Sequence, residues 1–149
     1  MNLRSLLAGV PLTGAAANLE MEISSISYDS RTVKAGALFV ALSGEKTDGH
    51  RYIETALRKG AAAVLCREAP EKEGPWLTTE DTRLALALVS ANWFGRPGDG
   101  MTLLAVTGTN GKTTTTSLLK EMLEGVLGAK VGLIGTIQNE IADITLPAK

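Results

Sequence analysis

Val106-Thr107-Gly108-Thr109-Asn110-Gly111-Lys112-Thr113-Thr114 is the stretch on which the reading of this chain turns. It carries what a loop needs to hold the polyphosphate of a nucleoside triphosphate. Gly108 and Gly111 permit a tight turn and a close backbone approach, because glycine tolerates positive φ and has no side chain in the way. Between them, Thr109 and Asn110 add amides that can turn toward an anion. A helix starting near Lys112 aims unpaired N–H groups and the positive end of its dipole at the same place. Lys112 is the expected catalytic cation, bridging β- and γ-phosphates. Thr113 is the expected Mg²⁺ ligand, and Thr114 a further donor to phosphate. The general pattern G-x-x-x-x-G-K-[ST] asks for glycine at position 106, where this chain has Val106. The bland alternative is a glycine-rich turn with an exposed lysine.

Working outward, Thr102 to Val106 reads as a short apolar strand, Thr113 to Leu123 as a helix, and Val131 to Ile134 as the next strand. Strand, loop, helix and strand make one βαβ unit with a right-handed crossover and parallel strands. One such unit cannot cover both faces of its sheet, so the 149 residues are expected to be the front part of a longer polypeptide.

Upstream, Gly95-Arg96-Pro97-Gly98-Asp99-Gly100 is the densest cluster of turn formers and separates two regions. Before it, Ile23 to Tyr28 and Ala37 to Leu42 read as strands, and Ala62 to Leu65 as a third. Asp48 can cap a helix over Gly49 to Lys59, with Ile53, Ala56 and Leu57 as its core stripe and Gly60 as its stop. Asp81 to Phe94 is expected to be a helix facing the core with Leu84, Leu88 and Ala91, and Trp93 and Phe94 are expected to pack. The short apolar N-terminus suits an amphipathic opening helix better than a signal peptide.

Bulk composition narrows the function classes. The chain has 44% hydrophobic and 21% charged residues and a formal charge of −1, without a basic cluster. Nucleic-acid binding is therefore not expected. No apolar segment approaches the roughly 20 residues needed to span a bilayer, so no membrane insertion is expected. A monomeric cytoplasmic protein is the working expectation. The single cysteine, Cys66, sits in an apolar run and reads as a small buried hydrophobe. His50, the single histidine, has no partner identifiable from sequence.

The departure at Val106 is informative. Thr107-Gly108-Thr109-Asn110-Gly111-Lys112-Thr113-Thr114-Thr115 resembles the shortened ATP loop of the Mur ligase family, which attaches amino acids to the UDP-linked peptidoglycan precursor. Gly132-Leu133-Ile134-Gly135-Thr136 resembles the strand end that follows the loop helix there. The upstream run from Tyr28-Asp29-Ser30-Arg31 to Ser43-Gly44, with Asp48-Gly49-His50 after it, resembles the family's uridine-binding segment.

The resemblance implies an α/β fold: an N-terminal UDP-substrate domain over 1–98, then the start of a central ATP-binding domain with a parallel sheet over 99–149. It implies ATP and Mg²⁺ as cofactors. By match it places Tyr28, Ser30, Arg31, Glu45, Lys46 and Thr47 at the UDP-MurNAc-peptide. Most similar is the branch that adds the third residue, meso-diaminopimelate or L-lysine, to UDP-MurNAc-L-Ala-D-Glu through an acyl-phosphate. Two other readings are a ligase of the branch that adds D-Ala-D-Ala, and a non-catalytic nucleotide-binding module. The family's second magnesium ligand, carbamylated lysine and amino-acid-binding domain lie past residue 149, so these residues alone are expected to be inactive.

Overall fold

A computed structural model describes residues 1–43, 48–141 and 144–148. The chain divides into two compact units, Met1–Met101 and Thr102–Lys149.

In the first unit, β1 (Gly14–Ala15), β2 (Ser25–Ser27), β3 (Ala37–Val40), β4 (Ala63–Cys66) and β5 (Trp76–Thr78) form a five-stranded sheet in the order β1-β5-β4-β3-β2. The pairs β2–β3, β3–β4 and β4–β5 are parallel, and β1 closes the edge antiparallel to β5. Every residue of β3 and β4 is buried, as a parallel sheet covered on both faces requires. Alternation then sorts their side chains. Leu38, Val40, Leu65 and Leu77 pack with Leu3 and Leu6 of α1 (Leu3–Leu6) and with Ala85 and Val89 of α3 (Thr82–Trp93). Phe39, Val64, Cys66 and Trp76 pack on the other side with Ile53 and Ala56 of α2 (Ile53–Arg58). Cys66 is buried as expected, and burial pushes its thiol up to about 11.

Several expectations shift in detail. The helix after Asp48 begins as a 3₁₀ turn, Gly49–Tyr52, and becomes α-helical only from Ile53. On α3 the buried positions are Thr82, Ala85 and Val89; of the expected stripe, Leu88 packs against the core and Ala91 is half-buried, but Leu84 does not face it. Leu84 is exposed, because the face of α3 turned to the sheet is the one that carries Ala85 and Val89. Trp93 packs against the core, but Phe94, one residue past the helix, points to solvent at 73% exposure. Strands β1 and β5 were not legible beforehand. Among the described residues no helix is long and apolar enough to cross a membrane.

The second unit holds α4 (Lys112–Leu127) and the antiparallel meander β6 (Gly132–Ile134), β7 (Gln138–Ile141) and β8 (Ile144–Pro147). Gly128, at φ 60°, closes α4 with its amide on the Glu124 carbonyl and the Ala129 amide on that of Leu123. The Lys120 ammonium joins α4 to β7 through Glu140, with Glu124 also within reach at 3.6 Å. The mixed α/β class with a parallel sheet stands, but the parallel ladder lies in the first unit. Thr102 to Val106, expected as a strand, pairs with no strand among the described residues. An apolar run becomes a strand only where a neighbour takes its backbone groups, and Leu103 and Leu104 remain exposed.

Candidate functional site

Of the residues matched to the UDP ligand, the structure brings Tyr28, Ser30 and Arg31 to one cleft of about 490 Å³ in the first unit. They ride on the turn that follows β2. Asp29 shapes it: its carboxylate accepts from the Arg31 amide at 2.8 Å, and its carbonyl accepts from the Thr32 amide at 3.0 Å. The Ser27 hydroxyl donates to the same carbonyl at 2.9 Å, and Lys59 donates to the carbonyls of Ser30 and Arg31, each at 2.9 Å. A turn bound at this many points is rigid before any ligand arrives.

The Arg31 guanidinium grips Asp29 with Nε at 3.0 Å from one oxygen and a terminal nitrogen at 2.7 Å from the other. That grip, with the Arg31 amide bond, lowers the Asp29 carboxyl to about 2. Arg31 therefore lines the cleft with its charge already compensated. The Tyr28 ring is 65% exposed, and the Ser30 hydroxyl has no hydrogen bond among the described residues. Both are open to a ligand. Glu45, Lys46 and Thr47 lie outside the described residues. Two cleft residues were not singled out from sequence, Tyr52 and Arg83. They come from the 3₁₀ turn and the start of α3, and nothing in their local pattern ties them to the Asp29 turn.

Gly49 marks a close approach at the cleft's rim. A Cβ there would lie 2.7 Å from both the nitrogen and the oxygen of Leu42, and the Gly49 amide donates to that same oxygen at 2.8 Å. His50 secures the next position. Its Nε2 accepts from the Arg67 amide at 3.0 Å, so the proton sits on Nδ1, which donates to Asp48 at 2.6 Å. The partner missing from the sequence reading is thus Asp48, two residues back, and the imidazole ties the start of the 3₁₀ turn to the end of β4. With both ring nitrogens engaged, His50 is a structural link. The His50 bonds also hold the Asp48 carboxyl below its ordinary value, the backbone amide first and the ring second.

In the second unit, Gly108 at φ 149° and Gly111 at φ 78° make the loop turn. A Cβ on Gly111 would meet nothing within 4 Å, so its left-handed backbone, rather than crowding, favours glycine there. Gly111 is the N-cap of α4 and offers no capping side chain, leaving the first amides of the helix available to an anion. Lys112 and Thr113 are the first two helical residues. The Lys112 ammonium donates to the carbonyls of Gly108 and Thr109, so it is held within the loop. Thr116 turns its hydroxyl back onto the carbonyls of Lys112 and Thr113, each at 3.0 Å. The hydroxyls of Thr113 and Thr114 make no such bond among the described residues. The donor set fits a triphosphate with magnesium: uncapped amides, one lysine, and one free hydroxyl on the second helical residue. Among the described residues no group of three or more acidic, His or Cys side chains could hold a metal ion.

Comparison with known proteins agrees over both units. Residues 22–92 match the model of the Mur ligase family, catalytic domain, and residues 106–149 match that of the Mur ligase middle domain. A UDP-N-acetylmuramoyl-L-alanyl-D-glutamate–2,6-diaminopimelate ligase of Syntrophomonas wolfei is 49% identical over 128 residues, 85% of this chain and 26% of its own length. The ligase of that name from Caldanaerobacter subterraneus is 44% identical over 149 residues, 99% of this chain and 30% of its own. The chain thus spans less than a third of the length of these curated relatives. A solved structure of a ligase of the same name superposes with a TM-score of 0.74 at 26% identity, covering 99% of this chain and 30% of that one. The MurF ligase of Thermotoga maritima in complex with ADP is 31% identical with a TM-score of 0.54, over 68% of this chain and 23% of that one. With both units matched by models of one family and the fold shared, the chain belongs to the Mur ligase family.

Proposed function

We propose that this chain serves an ATP-dependent ligase of peptidoglycan precursor synthesis that adds 2,6-diaminopimelate to UDP-MurNAc-L-Ala-D-Glu. The observation that carries the reading is the loop at the start of α4: a left-handed Gly111 N-cap, uncapped amides, and Lys112 held inside the turn. The diaminopimelate branch is preferred because the relatives at 44–49% identity bear that name. When bound, ATP with Mg²⁺ supplies the phosphoryl group that activates the substrate carboxylate. Lys112 and the amides of Gly108 to Thr114 orient the polyphosphate and neutralise its charge, and the Thr113 hydroxyl takes a place on the metal. Tyr28 packs on the uracil, and Ser30 reads its polar edge. Residues 1–98 act as the UDP-substrate domain, and 99–149 begin the ATP domain. The reaction is placed in the cytoplasm, where ATP is available. The role assigned to the 149 residues is binding of the two nucleotides, on a chain that covers 26–30% of its relatives.

Titration calorimetry with ATP–Mg²⁺, UDP-MurNAc-dipeptide and UDP-MurNAc-tripeptide tests this. The expected result is binding of ATP and a preference for the dipeptide. Lys112→Ala should abolish the ATP heat while moving stability by no more than about 0.5 kcal/mol, since the residue is outside any core. Preference for the tripeptide form would favour the D-Ala-D-Ala branch. ATP binding without either UDP-sugar would favour a non-catalytic module. Amide formation by the 149 residues alone would overturn the division of labour.

A further inference from the structure

We infer that Arg83 is a further binding residue of the Tyr28 cleft, the one that takes the diphosphate of a nucleoside diphosphate. The inference rests on the proposed reading of that cleft as a uridine-nucleotide site and assigns a task that Tyr28 and Ser30 cannot perform. A diphosphate brings two or more negative charges, and neither a phenol nor a serine hydroxyl neutralises charge.

The cations around the cleft are not equivalent. Arg31 is held in the two-point grip on Asp29, and the Lys59 ammonium is spent on the carbonyls of Ser30 and Arg31. Arg83 lines the same cleft, is exposed, and has no ion pair or side-chain hydrogen bond among the described residues. Among the described residues it is the uncompensated positive charge there. Of the carboxylates nearby, Asp29 is neutralised by Arg31, and Asp81 accepts from the amides of Arg83 and Leu84 at 2.9 and 3.0 Å.

Position strengthens the assignment. Arg83 is the second residue of α3, a helix capped by Asp81 and anchored to the sheet through Ala85 and Val89. Its Cα is therefore fixed while the guanidinium remains free to turn. The guanidinium can thus reach into the cleft from a fixed base, and the planar fork of arginine binds two phosphate oxygens at once where lysine offers a point charge. Tyr28 and Tyr52, 65% and 42% exposed, provide the apolar wall against which the base lies.

Affinities of the chain for uridine, UMP and UDP, measured with the native sequence, Arg83→Ala and Arg83→Lys, test the assignment. UDP should bind the native chain more tightly than uridine, with an advantage that shrinks as salt rises. Arg83→Ala should weaken UDP about tenfold, leave uridine within about twofold, and flatten the salt dependence; Arg83→Lys should fall between. Equal loss for uridine and UDP, no loss for either, or a salt-independent UDP advantage overturns the assignment. If the native chain binds neither uridine nor UDP, the cleft is not a nucleotide site and the proposed substrate reading falls first. Unchanged unfolding midpoints identify the variants as folded.

Discussion

The two units are built by different means, although both are α/β. The first encloses a sheet between α1 and α3 on one face and α2 on the other, and all the fully buried side chains among the described residues belong to it. The second presents α4 without one buried residue, beside a meander whose strands are exposed or half-exposed. Each carries a candidate binding feature suited to its construction. The cleft of the first unit gathers Tyr28, Tyr52 and Arg83 from separate elements, and so depends on a packed core to keep them together. The loop of the second draws every group from the consecutive residues 108–114 and needs only a glycine turn and a helix start. A phosphate site can be local, whereas a nucleoside site assembled from three elements cannot.

Truncations of matching size should expose that contrast most sharply. Leu65→Ala, at a fully buried position of β4, should lower the unfolding free energy in urea by about 2–5 kcal/mol. Leu118→Ala on α4, where leucine is 55% exposed, should change it by less than about 0.5 kcal/mol. A Leu118 loss comparable to that at Leu65 would mean that the α4 face is covered in solution and would break the comparison.

A smaller effect is expected at the link between the 3₁₀ turn and β4. His50→Ala removes the acceptor of the Arg67 amide and the donor to Asp48, and should cost about 1–2 kcal/mol in the same unfolding measurement. It should also weaken binding of UDP to the first unit while leaving ATP binding by the second unchanged. Equal weakening of both ligands would show that the two features are not independent.

The smallest effect concerns charge at the cleft. Asp29 titrates at about 2 in the folded chain against 3.8 for a free carboxyl. Because its folded value is the lower one, the stabilisation it lends is complete above the unfolded value and is lost as pH falls toward 2. An NMR titration of the Asp29 carboxyl should have its midpoint near 2, and Arg31→Ala should move that midpoint upward. A midpoint near 3.8 in the native chain would mean that the ion pair does not hold the turn in solution.

How much of this could be read beforehand follows from how local each feature is. The loop was legible because its chemistry is written in consecutive residues, and Val106 in place of glycine narrowed the family. Strands β3 and β4 were legible because burial on both faces leaves an unbroken apolar run. By contrast, β5 is a three-residue strand after the polar, turn-rich Glu71-Lys72-Glu73-Gly74-Pro75, and no periodicity can develop over that length. Leu84 misled because apolar residues crowd α3, so several faces look equally suitable until the sheet selects one.

By itself, then, the amino-acid sequence determined the glycine turn proposed to hold phosphate, the two central strands, the family and the turn around Asp29, since each depends on residues close together along the chain. Tertiary structure alone decided which face of α3 is buried, that Thr102 to Val106 stays unpaired among the described residues, that both nitrogens of His50 are occupied, and that Arg83 stands beside Tyr28. Those are relations between residues far apart in the chain. They come into being only when packing brings the elements together and backbone groups find, or fail to find, their partners.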